Sequence, residues 1–149
     1  MATRSDAAAA TITVRRVVAA PVEEIFEYLT QPELMAQWMS PYPGEVQCEA
    51  RSNFRVGGSF SLSMRSGEKA CEITGEYVKV EPPHRLVFTW SGPPTNNAST
   101  LVSVELRPLA GKTEFTLVHE KLPTPEVREG HVGGWNTMFD HLASRFGPG

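Results

Sequence analysis

The chain has 149 residues, 40% hydrophobic and 21% charged, which suits a single globular domain with one sizeable core. Its formal net charge is −3, and its 14 basic residues are scattered among 17 acids, so the concentrated basic face that nucleic-acid binding needs is missing. No apolar run approaches the roughly 20 residues that span a bilayer, and the start, MATRSDAAAA, lacks the apolar stretch of a secretory signal. Residues 1–10 are expected to be a disordered tail ahead of one domain at 11–147. Two cysteines, Cys48 and Cys71, are too few for a disulfide scaffold or a zinc site, and Cys71 reads as a small core residue. A reducing cytoplasm fits this pattern.

In chain order, the β-branched TITVRRVVA (11–19) predicts a strand. Ala20-Pro21 breaks it, and VEEIFEYLT follows as a helix with Val22, Ile25, Phe26 and Leu29 on one stripe and acids in its first turn. Thr30 is expected to cap a second short helix, PELMAQWM, with Pro32 near its start. SPYPGE is a turn. From there to residue 120 the apolar period changes from 3.6 to 2, and RSGEK, EPPH, SGPPTNN and PLAGK divide the segment into six strands of an antiparallel meander. A last helix begins with the cap Thr124, the helix-compatible Pro125 and the early acid Glu126, runs to Phe146, and stops at Gly147-Pro148-Gly149.

Each meander strand has one apolar face that must be covered, and the long C-terminal helix is the element large enough to cover it. A curved sheet around one helix leaves a concave, mostly apolar space, which is where ligand pockets form. The expected fold class is therefore α+β: a curved antiparallel seven-stranded sheet, two short helices after strand 1 and a long C-terminal helix packed across the sheet, in the order βααββββββα.

Five stretches carry a family resemblance: APVEEIFEYLTQPELMAQWM (20–39), RVGGSF (55–60), GEYVKVEPPHRLVFTW (75–90), KTEFTLVHE (112–120) and GGWNTMFDHL (133–142). Together they resemble the AHSA-type (activator of heat-shock protein ATPase homologue-like) family of the SRPBCC, or START-like, birch-pollen-allergen-like, helix-grip superfamily. The resemblance spans about residues 12–146. It implies a helix-grip fold and a role drawn from small-molecule carriage, cavity enzymes of the cyclase/aromatase or hydrolase kind, or co-chaperone contact. Trp38 and Trp135 stand at the family's two tryptophan positions.

Alternation places Phe60, Leu62, Met64, Ile73, Tyr77, Leu86, Phe88, Trp90, Val102, Val104, Phe115 and Leu117 on the inner face. The expected cavity residues are Trp38, Phe60, Leu62, Met64, Tyr77, Phe88, Trp90, Val102, Phe115, His119, Trp135, Met138 and Phe139, with methionines that adapt to irregular ligands. His119, inward by twos from Phe115, and the Tyr77 hydroxyl are the candidate polar handles for any chemistry. Asp140-His141 makes a poor acid–base couple, because adjacent helical residues point about 100° apart, and Asp140 is expected to be solvated.

His84, His119, His131 and His141 lie on separate elements with no metal-ligand spacing, and no cofactor is expected. RVGGSF lacks the context of a phosphate loop and reads as a tight turn or bulge. The reading ranked first is a binding protein for a small hydrophobic or aromatic molecule, such as a lipid or polyketide. An enzyme using the same cavity and a chaperone ATPase activator follow it. The expected state is a monomer or weak homodimer without nucleic acid or membrane insertion. Gly130 and Gly134 fall on the sheet-facing side of the last helix, and Gly133 more laterally. Glycines there either let the helix approach a strand closely or leave room for a ligand beside Trp135.

Overall fold

The computed structural model describes residues 10–40, 47–66 and 68–146. The expected tail, apart from Ala10, lies outside the described residues, as do 41–46 of the first proline-rich turn, Gly67 of RSGEK and the stop at 147–149. Strand β1 (Ile12–Val18) leads into helices α1 (Val22–Thr30) and α2 (Pro32–Met35). Then come β2 (Gln47–Ser52), β3 (Ser59–Ser66), β4 (Lys69–Glu81), β5 (Arg85–Trp90), β6 (Thr100–Leu109) and β7 (Lys112–Glu120). A 3-10 turn, Pro93–Thr95, separates β5 from β6, and α3 (Pro125–Ser144) follows β7. The order is βααββββββα, as expected.

The seven strands form one sheet in the order β1-β7-β6-β5-β4-β3-β2, and every neighbouring pair is antiparallel. Short turns join β2 through β7, as a meander requires. The two helices instead carry the chain from β1 at one edge to β2 at the other. All twelve inner-face positions expected from alternation are buried. The alternation breaks in β5, where Leu86, Val87 and Phe88 are all buried, and in β4, where the register shifts between Tyr77 and Lys79 and leaves Val78 and Lys79 both exposed. A bulge of this kind bends a strand and helps a sheet to curl.

Two glycine-containing stretches shape this region. RVGGSF makes the expected turn: Gly57 sits at φ +83° and donates its N–H to the Tyr77 carbonyl at 2.8 Å, while Tyr77 N–H donates to Gly58 O at 2.9 Å. Gly75 lies opposite Phe60 in the β3–β4 register. A Cβ there would collide with the Thr89 carbonyl oxygen and the Phe60 ring, so only glycine lets that ring lie across β4.

The helices differ from expectation in two places: α3 ends at Ser144, two residues before the expected Phe146, and α2 is shorter and capped differently. Helix α2 is only Pro32–Met35, and Gln31, not Thr30, holds the cap position, without a side-chain bond. Gln31 precedes a proline, which disfavours helical backbone and drives it extended (φ −92°, ψ 125°). Thr30 therefore ends α1, and its hydroxyl donates back to the Phe26 carbonyl at 3.0 Å. The expected cap of α3 is in place, with the Thr124 hydroxyl accepting from Val127 N–H at 3.1 Å.

Helix α3 buries His131, Trp135, Met138, Phe139 and Leu142. At roughly 1.5–3 kcal/mol per large apolar side chain, that burial outweighs about 1 kcal/mol for each interior glycine. Arg16 on β1 pins its far half: the guanidinium donates to Asp140 and to Asn136, each at 3.1 Å, and lies 5.7 Å from the Phe139 ring centre. Asp140 is solvent-exposed, as expected, but it is also ion-paired. No helix among the described residues is long and apolar enough to cross a membrane.

Candidate functional site

Beneath the first half of α3 lies a cavity of about 450 Å³. Met64 of β3, Cys71 and Ile73 of β4 and Trp90 of β5 form its floor. The helix supplies the other side through Val127, His131, Trp135 and Met138. Pro93 and Pro94 of the 3-10 turn and Glu126 stand at the rim.

The rim wall depends on local chain chemistry. Prolines favour the tight turn, and Thr95 Oγ1 ties it together, 2.8 Å from the Ala98 carbonyl and accepting from Gly92 N–H at 3.3 Å. Gly92 packs so closely on β4 that a Cβ would collide with the Glu72 carbonyl. On the opposite side, Gly130 and Gly134 both border the cavity. A Cβ on Gly130, an exposed residue at the cavity border, would meet nothing within 4 Å, so at that position glycine does not serve close packing.

Of the expected cavity residues, Met64, Trp90, Trp135 and Met138 border this space. Trp38, Phe60, Leu62, Tyr77, Phe88, Val102, Phe115 and Phe139 are buried in the packed core beside it, and His119 is buried as a polar residue. Trp38 is an anchor there: its indole N–H donates to the Tyr28 carbonyl at 3.0 Å, and its ring lies 6.1 Å from Phe115 and 5.8 Å from Phe139. Cys71 is half-buried against the core and borders the cavity, so it is not an enclosed core residue. The Tyr77 hydroxyl pairs with Ser52 Oγ at 2.7 Å, and burial raises its pKa above the usual phenol value.

His119 is fully buried and sits in a chain of hydrogen bonds. Trp135 Nε1–H donates to its Nδ1 at 3.0 Å, which puts the ring proton on Nε2. Nε2–H then donates to Thr100 Oγ1 at 2.7 Å, and the Thr100 hydroxyl donates to the Trp90 carbonyl at 2.5 Å. The chain links α3 to β7, β6 and β5, and both imidazole nitrogens are used within it. Burial, aided by the neighbouring His131, pushes the His119 pKa down from 6.5 to about 3. The ring is therefore neutral under ordinary conditions and works as a clip behind the cavity wall.

His131 was not among the expected cavity residues, nor were Pro93, Pro94, Glu126 and Val127. Its signal was in the sequence: positions 127, 131, 134, 135 and 138 form one helical stripe. The rim prolines carried no such signal, because only the folded turn brings them opposite α3. Among the described residues, no group of three or more His, Cys, Asp or Glu side chains is placed to hold a metal ion.

The model of the family described as Activator of Hsp90 ATPase homolog 1-like protein matches residues 19–147. No curated protein matches the chain. Protein CV1439 from Chromobacterium violaceum shares the fold with a TM-score of 0.80 at 22% identity, over 94% of this chain and 99% of that one. A Rhodobacter sphaeroides protein gives a TM-score of 0.77 at 26% identity over 92% of each chain. The AHSA1-like protein from Aeromonas hydrophila gives 0.72 at 19% identity, over 91% and 93% respectively. A curled seven-stranded sheet with a long helix across it, together with a family match over most of the chain, places this helix-grip protein in the Activator of Hsp90 ATPase homolog 1-like family.

Proposed function

We propose that the protein binds a small, largely apolar molecule in the cavity beneath α3. The observation that carries this reading is a space of about 450 Å³, walled by Met64, Ile73, Trp90, Trp135 and Met138, beside a glycine whose missing side chain would project into open space. Its volume lies within the range of about 300–1,000 Å³ for small-molecule sites, and its lining is of the apolar kind such sites use. Met64 and Met138 give the wall adaptable surfaces.

Two measurements test it. Native mass spectrometry of protein purified from its natural host should find a small molecule bound in simple stoichiometry. The uncharged fluorescent probe N-phenylnaphthylamine should bind the wild type, and Gly130→Leu, whose Cβ meets no atom within 4 Å and whose side chain adds bulk at the cavity border, should weaken it about tenfold. An empty protein that also ignores the probe would end the proposal. A cyclase- or hydrolase-like role gains no support from His119 and Tyr77, since neither borders the cavity and both are hydrogen-bonded elsewhere.

The family match supports a second reading, contact with a chaperone ATPase. Adding the protein to the cognate chaperone and following ATP turnover tests it; an unchanged rate removes that role.

A further inference from the structure

His131 is 9% exposed and borders the cavity one turn before Trp135. Its Nδ1 lies 2.9 Å from the carbonyl oxygen of Val127, one turn earlier on α3. A carbonyl oxygen only accepts, so Nδ1 carries the proton and donates it. In the neutral ring Nε2 is then a lone pair, and among the described residues no hydrogen bond reaches it. Nor is it sealed inside the core, as the unpaired indole N–H of Trp90 is. Burial lowers the His131 pKa from its ordinary value, which keeps the ring neutral near neutral pH.

The charged group of the lining is Glu126, at the exposed rim, and no lysine or arginine borders the cavity. An anionic ligand would meet a carboxylate with no cation to offset it. A pure hydrocarbon would cover Nε2 and leave it without a donor, at the cost of an unsatisfied buried acceptor. The group that satisfies Nε2 is a donor carried on an uncharged apolar body. We propose that His131 Nε2 accepts a hydrogen bond from a hydroxyl group on an uncharged, otherwise apolar ligand. This rests on the binding function proposed above and names the ligand's chemistry.

Three probes of one skeleton separate the alternatives: naphthol, its methyl ether and the corresponding naphthoate, all substituted at the same ring carbon. Each is titrated into nitrogen-labelled protein near neutral pH while the indole N–H resonances are followed by NMR. Trp90 and Trp135 border the cavity, and Trp38 in the core serves as internal reference. Naphthol should bind about tenfold more tightly than its ether, the usual effect of one buried hydrogen bond, and naphthoate should be the weakest of the three. His131→Phe should lower naphthol affinity to that of the ether and leave ether affinity within about twofold, because only the acceptor is lost. If His131→Phe does not fold, the wild-type ratio alone decides. Equal affinities for naphthol and ether, or a naphthol preference that survives His131→Phe, would overturn the hydroxyl assignment and leave the cavity reading standing. No response of Trp90 and Trp135 to any probe would overturn the cavity reading as well.

Discussion

His119 makes stability depend on pH in a way that one substitution can isolate. Its folded-state pKa of about 3 lies below the unfolded value of 6.5. Between those values the unfolded chain holds the proton and the folded protein does not, so acid favours unfolding. The stabilisation is complete above pH 6.5 and is lost as pH falls toward about 3. Each pH unit in that window is worth about 1.4 kcal/mol, so bringing the protein from pH 7 to pH 5 removes about 2 kcal/mol through His119 alone.

The assay is urea denaturation at both pH values for the wild type and His119→Gln. Glutamine does not titrate and can still accept from Trp135 and donate to Thr100. The variant starts less stable, but its loss on acidification should be smaller by about 2 kcal/mol. Carboxylates and His131 contribute to both proteins and largely cancel in the difference. Parallel losses would show that His119 is not held neutral by burial, and the clip assignment would fail.

Two further substitutions probe the frame of the site. Gly75→Ala forces a Cβ against the Thr89 carbonyl and the Phe60 ring, and should cost about 1–3 kcal/mol in thermal or denaturant unfolding. A neutral result would mean that β3 and β4 can move apart freely there. Asp140→Ala removes an ion pair whose acid is largely exposed, and should change stability by no more than about 1 kcal/mol and leave probe binding intact. A larger loss in the same unfolding measurement would make Arg16 a principal anchor of α3.

The element order and the buried face of nearly every strand were legible in the chain, because period and burial are linked locally. Phe60, Leu62 and Met64 alternate with serines, and Val22, Ile25, Phe26 and Leu29 recur at helical spacing; each pattern has one simple way to hide its apolar side. The same alternation cannot separate packed core from cavity wall, since both are apolar and inward. Phe88 and Trp90 read alike, yet only Trp90 borders the open space. The expected Thr30 cap does not form because the proline two residues later acts on Gln31, and that backbone effect outweighs the side-chain preference.

The glycines in GHVGGWNTMFDHL show the division most clearly. Sequence alone determined that Gly130 and Gly134 share the sheet-facing side of a helix whose large residues more than offset their cost. It offered two meanings for them, close packing or vacant room. Tertiary structure chose between these at Gly130, because whether a missing side chain leaves a gap depends on what other elements bring to that point. Here β3, β4, β5 and a proline turn more than thirty residues away stop short of the helix and leave the space open.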